Sequence, residues 1–532
     1  MNSIGLCRQS VVHKLLFRMF SVKHSYEDAV HKLNSLQSNK ATLDQVLKDI
    51  RTGKKCTNIE DMEKYLWRTG VTLTKLDELS VIHVAGTKGK GSTSAMCESI
   101  LRHHGYKTGF YSSPHLIAVR ERIRLNGRAL SEDEFARHFH QVYDNLEASK
   151  AYDGDMPKYF WFLTVMAFHV FLKEKVDVAI VEVGIGGLLD ATNVLRKVPV
   201  VGITALGLDH TAILGDSLPQ IAAAKAGIMK AGCEAYTVEQ PPEAMAVLNR
   251  VAQQLKCSLN IVPTYDSYNF PNGYKTRLQT NLEAYRTNAS LAIQLAHSWL
   301  RWAKLEATNK QNVKIAIASG KVLQNDYKEF DVPYQMNGHK CLNEVVYDGM
   351  TTQIPLNTAE GLKECKWPGR YQIVESTYAT FYLDGAHTKE SMEICSEWFQ
   401  DTNKNAETVL VFSATGDRNS EVLLSPLSKL NFKQIYFVIP TAYKRTGKHN
   451  DNYSAVEHKD LLARCQRNAE VWEHLKKGGS LSKISILESV SEALIDIKSN
   501  SHNINRTSVL VTGSLHLVGA TLLIIDPNLS ST

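Results

Sequence analysis

The sequence predicts an α/β protein of two domains, the first a phosphate-loop domain with a mostly parallel sheet and the second a smaller, Rossmann-like α/β domain. Short apolar runs alternate with helical patterns along most of the chain, and this alternation of strands and helices is typical of parallel sheets covered by helices. A glycine-rich turn joins one of these runs to a helix, starting at Gly86. At 532 residues the chain is too long for one ordinary core, so two domains are expected.

The turn after Val81–Ala85 is the centre of the first domain. The apolar run predicts a buried strand, and a helical pattern follows the turn from Ala95. Glycines let backbone N–H groups point inward and a helix N-terminus adds partial positive charge, so the turn predicts a P-loop ATPase-like domain. The spacing is unusual because Gly91 separates Lys90 from Ser92, and a flexible basic turn is the alternative. The predicted phosphate contacts are Gly86, Thr87, Lys88, Gly89, Lys90, Gly91 and Ser92.

Periodicity and capping residues predict the other elements of the first domain. Ser131 with Glu134 three positions later forms a capping box, which starts a helix. Pro114 forces an extended turn after a strand. The predicted helices are Tyr26–Leu36, Ala41–Ile50, Ile59–Thr69, Ser131–Leu146, Phe160–Leu172, Leu218–Lys230 and Asn288–Trp302. The predicted strands after the turn are Lys107–Tyr111, Val176–Val183 and Val198–Ile203.

The alternation of predicted strands and helices resumes at Trp367 and predicts the second domain. Helices lie between its strands, the longest around Tyr453–Leu475. The predicted strands are Thr380–Leu383, Val409–Phe412, Gln434–Val438, Ile484–Leu487 and Ser508–Val511. The predicted divisions of the chain are a targeting segment at 1–24, the first domain at 25–303, a linker or insertion at 304–366 and the second domain at 367–532.

Composition and charge argue against a membrane-spanning protein and a zinc protein, and they do not require a nucleic-acid partner. The 61 Lys and Arg residues against 55 Asp and Glu give a net charge of +6, which suits an anionic small molecule and does not require nucleic acid. No apolar run reaches the length of a membrane span, so no integral membrane segment is predicted. The nine cysteines are scattered without a C-x-x-C pair, which indicates reduced thiols and argues against a zinc site.

Residues 1–24 differ from the rest of the chain. They carry basic residues and serines and no acidic residue, and their leucines and phenylalanines can form an apolar face opposite the charges. This pattern is typical of a mitochondrial transit peptide, with a disordered basic tail as the alternative. Met19 offers a second start, which predicts one product in the mitochondrial matrix and another in the cytoplasm.

Donor atoms at the ends of predicted strands indicate a metal site. Glu182 closes an apolar strand before a glycine turn, where a buried carboxylate needs a cation, and a surface acid is the alternative. Ser113, or Ser112, ends a neighbouring strand, where a hydroxyl can reach the same metal. His210 follows a third strand, although alone it is better read as a satisfied core residue. Magnesium prefers hard oxygen ligands and keeps several waters.

Lys225 lies on a helix of small apolar residues, Ala222–Ile228. Desolvation lowers the pKa of a buried lysine, and the free amine is then nucleophilic toward carbon dioxide. From these residues alone, a lysine that extends its amine to solvent is the favoured alternative.

A set of motifs in order resembles the folylpolyglutamate and dihydrofolate synthase family of the Mur-ligase superfamily. The motifs are GTKGKGS from Gly86, YSSPHL from Tyr111, VRERI from Val119, DATN from Asp190, WPGR from Trp367, LDGAH from Leu383, FSATGDR from Phe412 and GSLHLVG from Gly513. The resemblance covers nearly all of the chain from about residue 25 onward.

The resemblance implies an ATP-dependent ligase that adds L-glutamate to the γ-carboxyl of folates through an acyl phosphate. It implies ATP, folate and L-glutamate as small-molecule substrates, magnesium as cofactor, a monovalent cation as a further candidate, and a monomer. The implied metal ligands are Ser113, Glu182, His210 and a carbamylated Lys225. The implied ATP contacts beyond the turn are Asn288, Arg370 and Asp384. The implied folate or glutamate contacts are Ser112, Pro114, His115, Leu116, His387 and Ser514, and the implied catalytic residues are Lys90, Lys225 and His387.

Two other functions stay open at this point. A dihydrofolate synthase would add the first glutamate to dihydropteroate with the same phosphate and metal residues. A catalytically weakened folate- or nucleotide-binding protein would be consistent with two departures from the family pattern. Leu188 stands two positions before Asp190, where a basic residue is usual, and Leu282–Tyr285 lacks the Gly, His and Gln that usually precede the residue matching Asn288.

Overall fold

The computed structural model describes most of the chain. The described residues are 25–37, 58–271, 278–318, 350–403, 407–414, 418–444, 450–453, 456–476, 482–500 and 507–527. The predicted targeting segment, Met19 and the predicted helix at 41–50 lie outside the described residues, as do 319–349 of the predicted linker.

The first sheet is built from residues 81–261 and is mostly parallel. Its strands are β1 (Val81–Ala85), β2 (Thr108–Tyr111), β3 (Ile123–Leu125), β4 (Arg128–Ala129), β5 (Val178–Glu182), β6 (Val200–Ile203), β7 (Glu234–Thr237) and β8 (Ser258–Ile261). They lie in the order β4-β3-β2-β5-β1-β6-β7-β8. The pairs from β2 to β8 are parallel, and β3 and β4 add antiparallel strands at one edge. Every residue of β1, β2, β5 and β6 is buried, which is why β1, β5 and β6 are mainly apolar.

Helices cover both faces of this sheet. They are α1 (Tyr26–Ser35), α2 (Asn58–Arg68), α3 (Leu73–Leu76), α4 (Lys90–His103), α5 (Glu132–Ala148), α6 (Tyr159–Glu174), α7 (Thr211–Leu214), α8 (Leu218–Ala226), α9 (Pro242–Leu255), α10 (Glu283–Ala318) and α11 (Leu356–Glu364). One apolar core contains Phe139 and Phe168, and the core on the other face contains Ile100 and Trp299. The capping box predicted at Ser131 is present at the start of α5.

Some element limits differ from the sequence prediction. The helix predicted over 288–302 is α10, which begins at Glu283 and continues to Ala318 across the predicted domain limit at 303. The residues after Trp302 are good helix formers without glycine or proline, so nothing local ends the helix there. The α8 helix ends at Ala226, earlier than predicted, and it is followed by Gly227, which has the lowest helix propensity after proline. Strands β3, β4, β7 and β8 were missed because they are short and lack a long apolar run.

The second sheet confirms the predicted Rossmann-like domain. Its strands are β9 (Gln372–Glu375), β10 (Thr380–Leu383), β11 (Glu407–Phe412), β12 (Gln434–Val438), β13 (Lys483–Leu487) and β14 (Thr507–Thr512). They lie in the order β13-β12-β11-β14-β10-β9, and only the β9–β10 pair is antiparallel. The described helices are α12 (Lys389–Thr402), α13 (Ser420–Leu427), α14 (His458–Leu475), α15 (Val490–Asn500) and α16 (Leu515–Ile525).

Helix α11, near the end of the predicted linker, packs on the first domain. Ser99 Oγ on α4 donates a hydrogen bond of 2.7 Å to the Gly361 carbonyl oxygen. A Cβ on Gly361 would lie 2.6 Å from Ile100 Cα, so the two helices touch at backbone distance. This close approach fixes the start of the segment that carries Trp367 and Arg370 into the second domain.

A docking segment of the first domain, residues 115–119, is packed into the second domain. Ile117 is buried in an apolar cluster of the second sheet that also contains Val518 of α16. A Cβ on Gly519 would lie 1.7 Å from the Leu116 carbonyl oxygen, so α16 meets the segment at backbone distance. The two domains therefore share part of one apolar core.

A short clasp of the second domain, residues 450–453, holds the same segment by hydrogen bonds. The Asp451 carboxylate accepts from the Tyr26 hydroxyl on α1 and from the Val119 backbone N–H, the latter at 2.7 Å. The Asp451 carbonyl oxygen lies 3.1 Å from His115 Nε2, which donates to it. The clasp thus joins α1, the docking segment and the second domain.

Two further observations concern the class of protein. Within the described part of the chain, no helix has both the length and the apolar character needed to cross a bilayer. The described cysteines are free thiols, as predicted, and they are Cys97, Cys233, Cys257, Cys365, Cys395 and Cys465.

Candidate active site

The glycine-rich turn connects β1 to α4 with a fixed backbone. Gly86 has φ of +149°, and a Cβ there would lie 1.8 Å from Thr204 Oγ1, so glycine is required. Gly89 precedes α4 with φ of +88°, and a Cβ there would lie 2.1 Å from Asn288 Oδ1. Because α4 begins at Lys90, the free N–H groups of its first turn face the predicted phosphate position.

The remaining turn residues are held by neighbours. Thr87 Oγ1 donates to the Gly207 carbonyl oxygen at 3.0 Å. Gly91 lies against the indole of Trp367, which a Cβ would approach to 3.1 Å. Ser92 is buried in the first turn of α4.

Three lysines surround the turn and differ in their contacts. Lys90 Nζ and Lys225 Nζ both donate to the Gly86 carbonyl oxygen, at 3.1 and 2.7 Å. Lys88 instead forms an ion pair of 2.7 Å with Glu390 of the second domain. Lys90 and Lys225 therefore converge on the turn, while Lys88 crosses the cleft between the domains.

Lys225 is buried, with 3% of its surface exposed, so the alternative of a lysine that reaches solvent is wrong. Burial lowers the pKa of Lys225 to about 7, and the charge of Lys90 acts in the same direction. Asp209 and Asp190 oppose this shift. A substantial fraction of the Lys225 amine is therefore unprotonated at neutral pH.

Glu182 is buried at the end of β5, so the alternative of a surface acid is also wrong. Its Oε2 accepts a hydrogen bond of 3.1 Å from the Ser113 backbone N–H. Burial raises the pKa of Glu182, while Lys90, the Ser113 N–H and Arg370 oppose the shift. A desolvated carboxylate beside a serine, facing cations from both domains, suits a hard divalent cation.

His210 is not a core residue. It precedes the short helix α7 with φ of +50°, and 36% of its side chain is exposed. Burial of its ring lowers the pKa of His210, while Asp209, 3.8 Å away, raises it. In the described part of the chain, no three His, Cys, Asp or Glu side chains form a group that could hold a metal. The predicted ligand set contains only two such side chains, Glu182 and His210, and relies otherwise on a serine, a carbamate and water.

Asp384 follows β10 and Arg370 lies on the turn before β9, both in the second domain. Asp384 accepts hydrogen bonds from the backbone N–H groups of Tyr371 at 3.0 Å and Ala386 at 2.9 Å. Burial raises the pKa of Asp384 to about 6, and Arg370 opposes the shift. Asp384 thus shapes the turn that carries Arg370.

His387 follows on the same loop as a neutral imidazole. Its Nδ1 donates to the Gly385 carbonyl oxygen at 2.7 Å. Burial lowers the pKa of His387 to about 4, and Arg418 acts in the same direction. Since Nδ1 carries the proton, Nε2 has a free lone pair.

Ser514 caps α16, where its Oγ accepts from the Leu517 N–H at 3.2 Å.

His115 has a contact that the sequence did not predict. Its Nδ1 accepts a hydrogen bond of 2.9 Å from Arg122 Nε, and its Nε2 donates to the Asp451 carbonyl oxygen. Burial and the charge of Arg122 lower the pKa of His115 well below 6.5. Because Arg122 belongs to the first domain and Asp451 to the second, the two hydrogen bonds of the His115 ring join the two domains.

The two departures from the family pattern have local explanations. Leu188 is 52% exposed, and its backbone N–H donates to the Ala224 carbonyl oxygen at 2.7 Å, so the backbone holds the turn to α8. Tyr285 is buried in the first domain.

Gln279, which the sequence did not single out, donates through Nε2 to the Arg370 carbonyl oxygen at 2.7 Å. Gln279 therefore positions the turn of Arg370 from the first domain.

A cavity of about 260 Å³ lies beside Glu182 and is lined by both domains. Of the predicted site residues, the cavity is lined by Gly91, Ser112, Ser113, Pro114, His115, Leu116, Glu182 and Arg370. The predicted residues Lys225, His210, Asn288, Asp384, His387 and Ser514 are not among its lining residues. The structure thus brings two of the four metal candidates, Ser113 and Glu182, to one cavity with several folate candidates, whereas His210 and Lys225 do not line it.

This fold and cleft define the class of two-domain ligases that use a nucleoside triphosphate. The chain is 38% identical to the human mitochondrial folylpolyglutamate synthase over 95% of this chain and 92% of that protein. It is 40% identical to the mitochondrial folylpolyglutamate synthase of Bos taurus, over 85% of this chain and 74% of that protein. The chain belongs to the folylpolyglutamate synthase family.

Two other comparisons agree with this assignment. A family model described as the dihydrofolate synthetase C-terminal domain matches residues 370–524. The solved folylpolyglutamate synthase of Mycobacterium tuberculosis, complexed with ADP and AMPPCP, has the same fold. Its TM-score is 0.61 at 22% identity, over 89% of this chain and 95% of that one.

Proposed function

We propose that the protein is an ATP-dependent ligase that adds L-glutamate to the γ-carboxyl of tetrahydrofolate and its polyglutamates, forming ADP. The observation that carries the proposal is the buried Glu182, which lies within electrostatic reach of Lys90 from the first domain and Arg370 from the second. Such a cleft can neutralise the phosphates of ATP and the carboxylate that is being activated. The names of the relatives and the nucleotide complexes of the neighbouring structure support the choice of substrates.

The first domain would activate the carboxylate. Lys90 and the N–H groups of the turn would bind the β- and γ-phosphates, and Arg370 would approach the transferred phosphoryl group from the other domain. Asn288 and Asp384 would bind the rest of the nucleotide. A bound magnesium ion would supply further positive charge at the phosphates, held by Ser113, Glu182, His210 and modified Lys225. Whether a monovalent cation also binds stays a prediction.

Lys225 would act as a carbamate. The unprotonated Nζ would attack carbon dioxide, so that an N–C bond forms while one C=O π bond breaks and its electron pair moves to oxygen, and the proton that the nitrogen loses goes to solvent. The product would be a carboxylate close to Gly86, where it could supply an oxygen ligand to magnesium without a further acidic residue in the sequence.

The second domain would present the incoming amino acid. His387 Nε2 has a lone pair, because its Nδ1–H is donated to the Gly385 carbonyl oxygen, so it can accept a hydrogen bond from the glutamate amine. Ser514 lies at the start of α16 on the same domain. Ser112, Pro114 and Leu116 would contact folate, with His115 contributing through its backbone. The predicted domain limits and the monomeric state stay predictions.

An incorporation assay tests the function. Purified protein with ATP, magnesium and labelled glutamate should label tetrahydrofolate and release ADP in equal amounts. Label on dihydropteroate alone would instead identify a dihydrofolate synthase. No label on either substrate would contradict both ligase assignments and leave the binding protein as the explanation.

We also propose that the protein is mitochondrial, as the human and bovine relatives are named, with a cytoplasmic form that starts at Met19. A reporter fused to residues 1–40 should enter mitochondria, because this segment is basic and its first 24 residues have no acid. The same reporter fused to residues 19–40 should stay in the cytosol. Microscopy and fractionation measure both, and cytosolic retention of the longer fusion would refute the targeting role.

A further inference from the structure

The cavity extends beyond the predicted site toward the β3–β4 edge of the first sheet, where its charged lining residues are Arg102, Arg124, Lys366, Glu98, Glu121 and Glu364. Arg124 on β3 lies there, with its guanidinium 5.2 Å from the centre of the Trp367 ring. Its Nε donates to the Glu121 carbonyl oxygen at 3.2 Å. Within the described residues, no carboxylate lies within ion-pair distance of Arg124. Lys366 lines the same end of the cavity and is exposed.

Two acidic residues at this end, Glu98 and Glu121, are engaged by the protein, and a third, Glu364, is exposed. Glu98 accepts from Arg102 Nε at 3.1 Å and from Thr108 Oγ1 at 2.6 Å. The Glu121 carboxylate accepts three backbone N–H groups of the docking segment, at distances of 2.7 to 3.0 Å. Both carboxylates raise the pKa of Arg124 from a distance, but neither forms an ion pair with it. The Arg124 guanidinium is therefore a partly buried charge beside an open cavity, and some of its N–H donors are available to a ligand. Burying such a charge without an anionic partner costs free energy.

The surroundings favour a carboxylate over an aromatic ring as the occupant. Trp367 is covered by Arg124, meets Phe110 edge-on at 5.6 Å and lies against Gly91. The indole thus holds the guanidinium and is poorly placed to stack on a ligand. A fixed guanidinium recognises carboxylates through two parallel hydrogen bonds.

We propose that Arg124, with Lys366 at the cavity mouth, binds an α-carboxylate of the γ-linked glutamate tail of the folate substrate. The inference rests on the proposed function, since the same cavity holds the reacting carboxyl near Glu182. A γ-linked chain keeps one free α-carboxylate per residue, so each added glutamate adds an anion that this end can bind. Arg124 is then a specificity residue for substrates that already carry several glutamates.

The test compares mono- and triglutamate substrates. Arg124→Gln should raise the KM for tetrahydropteroyl triglutamate by about ten- to a hundredfold, the loss expected for a hydrogen bond between charged groups. Its KM for the monoglutamate should change by less than about threefold, and kcat and the KM for ATP should stay close to the parent values. Arg124→Lys should lie between the two, and Lys366→Gln, an exposed change, should weaken triglutamate binding to a smaller extent.

A matched control and a binding measurement complete the experiment. Arg128→Gln removes the same charge from the exposed neighbouring strand β4 and should not distinguish the substrates. Calorimetry with free γ-linked triglutamate, without a pteroyl group, should show binding to the parent protein and weaker binding to Arg124→Gln and Lys366→Gln. Equal effects of Arg124→Gln on mono- and triglutamate, or unchanged triglutamate binding, would overturn the inference. An inactive parent protein would overturn the proposed function, and calorimetry would still test Arg124.

Discussion

Replacing Lys90 by alanine is expected to lower turnover by about two to three powers of ten, as for other fixed electrostatic donors in active sites. Lys90 is the cation that lies both on the phosphate turn and beside the buried Glu182. In the proposed reaction, its loss would remove positive charge where negative charge develops during phosphoryl transfer. The measurement is turnover at saturating ATP, magnesium, folate and glutamate.

The control for Lys90→Ala is Lys150→Ala, which removes an exposed lysine paired with Glu147 on the surface. The control should retain the parent turnover, and both proteins should keep nearly the same melting temperature, since Lys90 Nζ makes one hydrogen bond to a turn carbonyl. A turnover of Lys90→Ala within tenfold of the parent would show that Lys90 does not contact the transferred phosphoryl group.

Replacing Lys225 by alanine should lower turnover by on the order of a hundredfold or more, because a charged group beside the phosphates is lost. Short carboxylic acids such as acetate should restore part of the activity, since they can occupy the place of the carbamate. Lys225→Arg should not respond to acetate, because its guanidinium fills the site and stays charged. Full activity of Lys225→Ala would contradict the carbamate.

The pH dependence gives an independent test of the carbamate. Below the pKa of about 7 the Lys225 amine is mostly protonated and cannot attack carbon dioxide. Activation by added bicarbonate should therefore rise between about pH 6 and pH 8 in the parent, and be absent in Lys225→Ala.

Glu182→Gln should need a higher magnesium concentration than the parent when turnover is measured against magnesium. An unchanged magnesium curve would place the metal on a different strand.

Local signals in the sequence were sufficient for the framework of the fold. Continuous apolar runs identify β1 and β5 because strands buried on both faces need no polar alternation. The capping box at Ser131 identifies the start of α5 because its two hydrogen bonds lie within one turn. Each of these signals is complete within a few neighbouring residues.

The parts that could not be predicted depend on residues far apart in the chain. His115 is engaged by Asp451, 336 positions away, so its sequence context does not show that both ring nitrogens are occupied. Gln279 holds the Arg370 turn across 91 positions. The burial of Lys225 depends on the Gly86 carbonyl, 139 positions away, and for that reason the helix pattern alone favoured an exposed lysine.

The way in which the domains are joined limits how the cleft can open. The docking segment with its clasp is one attachment, and the contact of Gln279 with the Arg370 turn is a second. A rigid body held at two points can only rotate about the line between them. The ion pair of Lys88 with Glu390 is a third contact, and it is partly exposed and therefore weak and screened by salt. We therefore expect any opening of the cleft to be a hinge motion about the line through the two attachments, with the Lys88–Glu390 ion pair breaking at the mouth of the phosphate turn.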